Sequence, residues 1–213
     1  MSDAIRPYSR AEYVSDAVVH VTGLVLALAA VPGPVLLNAL HRGDAGAGAA
    51  GWIYRGALGL LVLCSALYNM SRRIEWHWLL RRLDHSAIYI KIAGTYTPFV
   101  ALSGQGFGLM AGLWGAALAG VGLKLFSPAR FRWVALALYL GMGWAGVAAG
   151  GALLAALPGP VVVLMLAGGG LYTLGVVFYL WQRLPFHNTI WHVFVLVATL
   201  VFYAAVTVAV VAA

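Results

Sequence analysis

Glu12, Asp16 and His20 recur every four residues. On a helix that spacing puts two carboxyls and an imidazole on one face, where they can share protons or meet a cation. A salt link from Asp16 to a neighbouring arginine is the plain alternative. The same four-residue step separates Ser65 from Asn69, and Asn188 from His192, with His187 directly before Asn188. Asp84 stands just ahead of an apolar run and has the short carboxylate of a helix cap. Lys91 follows Asp84 by seven residues, about 20° off the same helical face, and could snorkel to the interface. Imidazole with carboxylate is the usual material of acid–base catalysis and of zinc ligation.

The elements that must hold these groups are apolar. Of 213 residues, 63% are hydrophobic and 9% charged, with a mean hydropathy of +0.92. Soluble domains carry about 25% charged residues, so no soluble core fits this composition. A bilayer core of about 30 Å takes roughly 20 helical residues. Segments near 17–40, 52–70, 86–103, 107–126, 133–156, 160–182 and 188–212 meet that length. The expectation is an all-α integral membrane protein, a seven-helix bundle forming one domain over 1–213.

The net charge of +7 does not point to nucleic acid, because the basic residues punctuate helix ends instead of gathering on a polar domain. Arg6, Arg10, Arg72, Arg73, Arg81, Arg82, Lys124, Arg130, Arg132 and Arg183 fall on one side, and Arg42 and Arg55 on the other. The positive-inside rule then places the N-terminus in the cytoplasm and the C-terminus outside. The first apolar stretch is longer than a signal-peptide core and follows acidic residues, so it reads as a retained helix. Cys64, the one cysteine, has no intramolecular partner.

With this topology the end of the second segment and the starts of the third and seventh share one depth at the inner side. Ser65, Asn69, Asp84, Asn188 and His192 are then expected to line one polar pocket. The stretch 71–85, with four arginines among aromatic residues, reads as a loop suited to the headgroup layer. Pro32-Gly33-Pro34 and Pro98 predict kinks. Gly146 with Gly150, and the run Gly168 to Gly170, predict close helix packing.

The run from Arg82 to Ile90, Arg-Leu-Asp-His-Ser-Ala-Ile-Tyr-Ile, continues as Ile92-Ala-Gly-Thr-Tyr-Thr-Pro-Phe99. With the Glu12, Asp16, His20 spacing, Ser65 and Tyr68, and Ile190 to Val195, it resembles the hemolysin III branch of the progestin and adipoQ receptor superfamily. The resemblance covers nearly the whole chain and implies seven helices with an inward N-terminus. It also implies zinc, held by a histidine at the end of the second helix and an HxxxH at the start of the seventh. Here those positions read Asn69, Asn188 and His192, and a further family histidine is Phe202. Neutral amides are poor zinc ligands, and His187, five residues from His192, lies about 140° round the helix from it.

These readings favour a bacterial inner-membrane protein that maintains or senses lipid, with membrane lipid as its partner and no resident cofactor. Zinc is the one metal the pattern could take. The alternative is a zinc-dependent hydrolase of lipid amides, in which His192 binds metal, Asp84 acts as base or orients water, and Ser65 hydrogen-bonds nearby. An ion or proton transporter ranks below both, for want of an inverted repeat. A cytolytic pore has only the family's historical name behind it.

Overall fold

The computed structural model describes residues 8–30, 45–71, 74–126 and 131–212. Eight helices fill most of them: α1 (Arg10–Ala30), α2 (Ala45–Met70), α3 (Ile74–Ser103), α4 (Phe107–Phe126), α5 (Arg132–Ala149), α6 (Gly151–Ala156), α7 (Gly159–Leu180) and α8 (His187–Ala212). No strand occurs among the described residues. Five helices are long and apolar enough to cross a membrane: α1, the Gly48–Met70 part of α2, α4, α7 and α8.

The first helix starts at Arg10, ahead of the apolar onset expected near 17. A capping box sets that start. The Ser9 backbone N–H donates to Glu12 Oε2 at 2.8 Å, and the Glu12 N–H donates to Ser9 Oγ at 3.3 Å. Because the cap is polar, hydropathy alone misses it, and its effect is to carry Glu12, Asp16 and His20 into one continuous helix. The remainder of the predicted segment, with Pro32-Gly33-Pro34, lies outside the described residues.

Two further boundaries differ from expectation. The stretch expected as a loop is helical from Ile74, so Asp84 sits inside α3 and is no N-cap. The span expected over 133–156 divides at Gly150, whose N–H closes α5 on the Gly146 carbonyl. A side chain at Gly150 would strike that same carbonyl oxygen, which explains the glycine. The short turn after α3 uses Gly104 and Gly106 at φ of 66° and 84°, a region glycine enters without strain.

Helix α3 is the hub, packed against α2, α4, α5, α6 and α8. Every residue of 93–100 is buried, and α3 continues through Pro98. A helix so enclosed can carry Lys91, Thr95 and Thr97 in its apolar half, since protein and not lipid surrounds them. Tyr96 shows how closely its neighbours approach. Its hydroxyl donates to the Gly143 carbonyl at 2.7 Å and accepts the Gly146 N–H at 3.1 Å, and a Cβ at Gly146 would strike its ring. At one edge of the bundle α1 lies against α2 and α8, and this contact builds the site.

Candidate functional site

Asp16 serves two histidines by different atoms. Its carboxylate Oδ1 is 2.6 Å from His192 Nδ1, and its main-chain carbonyl is 2.8 Å from His20 Nδ1. Both partners are acceptors, so each Nδ1 donates, and on His20 the Nε2 lone pair is left to accept. On His20 that lone pair faces Ser65 Oγ at 3.1 Å and Asn69 Nδ2 at 3.4 Å. Asn69 is oriented by a second bond, from Nδ2 to the Ser65 carbonyl at 2.9 Å. The two imidazoles meet edge to face, with centroids 4.4 Å apart.

Asp84 completes the centre from α3. It is buried and lies near Ser65, His192 and Asp16. Four elements therefore contribute: α1 with Asp16 and His20, α2 with Ser65 and Asn69, α3 with Asp84, and α8 with His192. Gly23, one turn deeper on α1, faces Val62 and Leu196, so the same three outer helices stay in contact beyond the polar layer.

Other sequence-predicted residues go elsewhere. The Tyr8 hydroxyl, buried and without a hydrogen-bond partner, lies near Asn188, and no described interaction joins Asn188 to Asp84. Burial, with the charge of Asp16 adding to it, pushes that hydroxyl up to about 12, so Tyr8 stays protonated at neutral pH. His187 opens α8 and turns toward the Phe178 carbonyl, with its Nδ1 buried and unpartnered. Glu12 takes a structural part beyond its cap, since its Oε1 accepts the Phe186 N–H at 2.9 Å and ties α1 to the turn before α8. Ser15 and Thr189 add a hydroxyl contact of 3.0 Å across the same seam.

Lys91 does not snorkel. It is 3% exposed, donates to the Tyr172 hydroxyl at 2.7 Å, and sits 4.6 Å and 5.0 Å from the Tyr172 and Phe202 ring centres. Tyr172 shares a further hydroxyl contact of 2.7 Å with Thr199. Neither Tyr172 nor Thr199 stood out in the sequence. The signal for Thr199 was present, because it follows His192 by seven residues on one face of α8.

The profile of haemolysin-III related proteins matches residues 10–203, which takes in every residue of the Asp16 centre and of the Lys91 cluster. The chain belongs to the haemolysin-III family. It is 38% identical over 188 residues to Hemolysin-3 of Bacillus cereus, covering 87% of this chain and 85% of that protein. The Hemolysin-3 homolog of Bacillus subtilis (strain 168) matches at the same identity over 87% of this chain and 88% of its own length. The human Monocyte to macrophage differentiation factor is 30% identical over 207 residues, 87% of this chain and 80% of that one. The family and the apolar helices together make this a multi-pass membrane protein.

The zinc that the family resemblance implies does not fit positions 69 and 188 here. Asn69 presents N–H groups, not a lone pair, toward His20, because its Nδ2 also bonds the Ser65 carbonyl. Asn188 offers only a neutral amide, a poor zinc ligand. Of the family positions only His192 offers an imidazole, and the nearest second one, His20, comes from α1.

Proposed function

We propose that this haemolysin-III family protein maintains or senses membrane lipid through the centre formed by Asp16, His20, Ser65, Asp84 and His192. One observation carries the reading: two carboxyls and two imidazoles from three helices, α1, α3 and α8, come together inside an apolar bundle. Burying such groups is expensive, and a chain that keeps them at a helix junction gains a site by doing so. In this reading the chain crosses a bacterial inner membrane seven times, with α3 and the α5–α6 pair adding to the five apolar helices, and the N-terminus is cytoplasmic. The ten-to-two division of basic residues supports that orientation.

A bacterium lacking the gene is expected to show altered acyl-chain composition and altered bilayer order by a fluidity probe. The natural protein restores both, and the Asp16→Ala variant does not. Unchanged lipid in the deletion strain overturns the reading. Reporters fused after 75 or 130 are expected in the cytoplasm and one at the C-terminus outside, and a cytoplasmic C-terminus overturns the seven-span count.

Hydrolysis of a lipid amide is the second reading, favoured by the Ser65 hydroxyl lying between His20 and Asp84. Release of fatty acid from a lipid amide by the purified protein, lost in Ser65→Ala, is its test.

A further inference from the structure

Arg55 is the single charged residue of α2, and it is 7% exposed. Its Nε and Nη1 are closed off from solvent and make no hydrogen bond among the described residues. The ion pairs between described residues are those of Asp16 with His20 and His192, so no described carboxylate answers this charge. A guanidinium stays protonated in proteins and cannot shed its charge to suit an apolar site. Burying it unpaired is expensive, which separates Arg55 from an arginine whose head snorkels into water.

Position along α2 shows where a partner would come from. Arg55 stands about 21 Å along the helix from Asn69, and its side chain folds back over the preceding turn. A Cβ at Gly51 would lie 3.3 Å from Nη2 and 4.0 Å from Cζ, so the bare backbone of Gly51 is the bed on which the guanidinium rests. That turn adds about 5.4 Å and brings the charge close to the far edge of a hydrocarbon core of about 30 Å. Trp52, its ring centre 5.0 Å from Cζ, is exposed beside it, as tryptophan is at headgroup level. The Tyr54 hydroxyl, buried and unpartnered, and the Tyr203 hydroxyl lie near the same charge.

We propose that Arg55 binds the phosphate of a phospholipid in the leaflet opposite the Asp16 centre. Each of the guanidinium's two forks contains one of the unpartnered atoms, Nε or Nη1, beside Nη2, and a fork takes two oxygens of one phosphate. Phospholipids place phosphate at this depth, and the exposed stripe of Ile53, Leu60, Leu63 and Leu67 gives an acyl chain its surface. The site stands apart from the lipid role of the Asp16 centre, since it is read on purified protein and that role in cells, so either can fail alone.

The experiment follows the thermal midpoint of the purified, lipid-stripped chain in detergent. Dioleoylphosphatidylglycerol is expected to raise it by several degrees, whereas dioleoylglycerol, which lacks the phosphate, and inorganic phosphate leave it in place. Native mass spectrometry is expected to count one retained phosphatidylglycerol per chain. Arg55→Met keeps the stem and removes the charge: its lipid-free midpoint rises, because an unpaired buried cation is gone, and its lipid affinity falls at least about tenfold. Gly51→Leu fills the bed under the guanidinium and weakens binding with the charge intact. Lys91→Met, which removes a buried cation elsewhere, leaves the lipid shift unchanged. An equal shift with dioleoylglycerol, or undiminished lipid affinity in Arg55→Met, overturns the proposal. A lowered lipid-free midpoint in Arg55→Met also overturns it, by showing a partner within the chain. Inorganic phosphate that matches the lipid overturns the lipid assignment in favour of a free ion.

Discussion

The Asp16 centre and the Lys91 cluster both bury charge-bearing groups, yet they are built oppositely. At the Asp16 centre acceptors outnumber fixed cations: a carboxyl oxygen and a main-chain carbonyl each take an imidazole N–H, and His20 Nε2 faces the Ser65 hydroxyl and the Asn69 amide across α1 and α2. Around Lys91 there is no carboxylate or imidazole, only an ammonium, two aromatic faces and two hydroxyls, of which Tyr172 accepts from the ammonium. The first arrangement has the donors and acceptors to exchange a proton. The second fastens α3 to α7 and α8 and leaves no lone pair for chemistry beyond the hydroxyl oxygens. Burial alone therefore does not mark a reactive site; the balance of donors and acceptors does.

Four substitutions test that contrast, and the thermal midpoint in detergent reads each. Asp16→Ala removes the side-chain acceptor of His192 while sparing the main-chain carbonyl that holds His20, and leaving a buried donor unpaired costs about 1–3 kcal/mol, so this variant loses most. It also abolishes the lipid response. Ser9→Ala removes the α1 cap and loosens the helix that presents Asp16, costing about 1 kcal/mol. Thr199→Val takes one hydroxyl from Tyr172, which keeps Lys91 as its partner, and costs about 1 kcal/mol or slightly less. Lys91→Met keeps the stem and volume while Tyr172 retains Thr199, so its cost stays under about 1.5 kcal/mol and is expected to be the smallest. A Lys91→Met protein that loses the lipid response would erase the distinction between the two regions.

Much of this was legible in the sequence. Apolar length gave the helices, and the four-residue steps gave the faces that Asp16 with His20, and Ser65 with Asn69, present. Which faces meet was not legible. The family pattern drew attention to positions 69, 188 and 192, whereas the structure joins His192 to α1 and shows no described contact between Asn188 and Asp84. Spacing orders residues on one helix but carries no information about rotation relative to another, and that rotation decided both cases. The α1 start was readable in principle from Ser9 and Glu12, a signature that hydropathy overlooks. Lys91 was misjudged because snorkelling assumes a lipid-facing side chain, while α3 is enclosed by its neighbours.

The dual service of Asp16 is the central claim, and nitrogen-15 NMR of histidine-labelled, metal-free protein tests it most directly. Both His20 and His192 are expected as Nδ1-protonated imidazoles with bare Nε2. Asp16→Asn should then shift the His192 signals strongly and leave the tautomer of His20 in place, because the substitution spares the main-chain carbonyl. An Nε2-protonated His192, or a spectrum that Asp16→Asn leaves unchanged, would contradict the account.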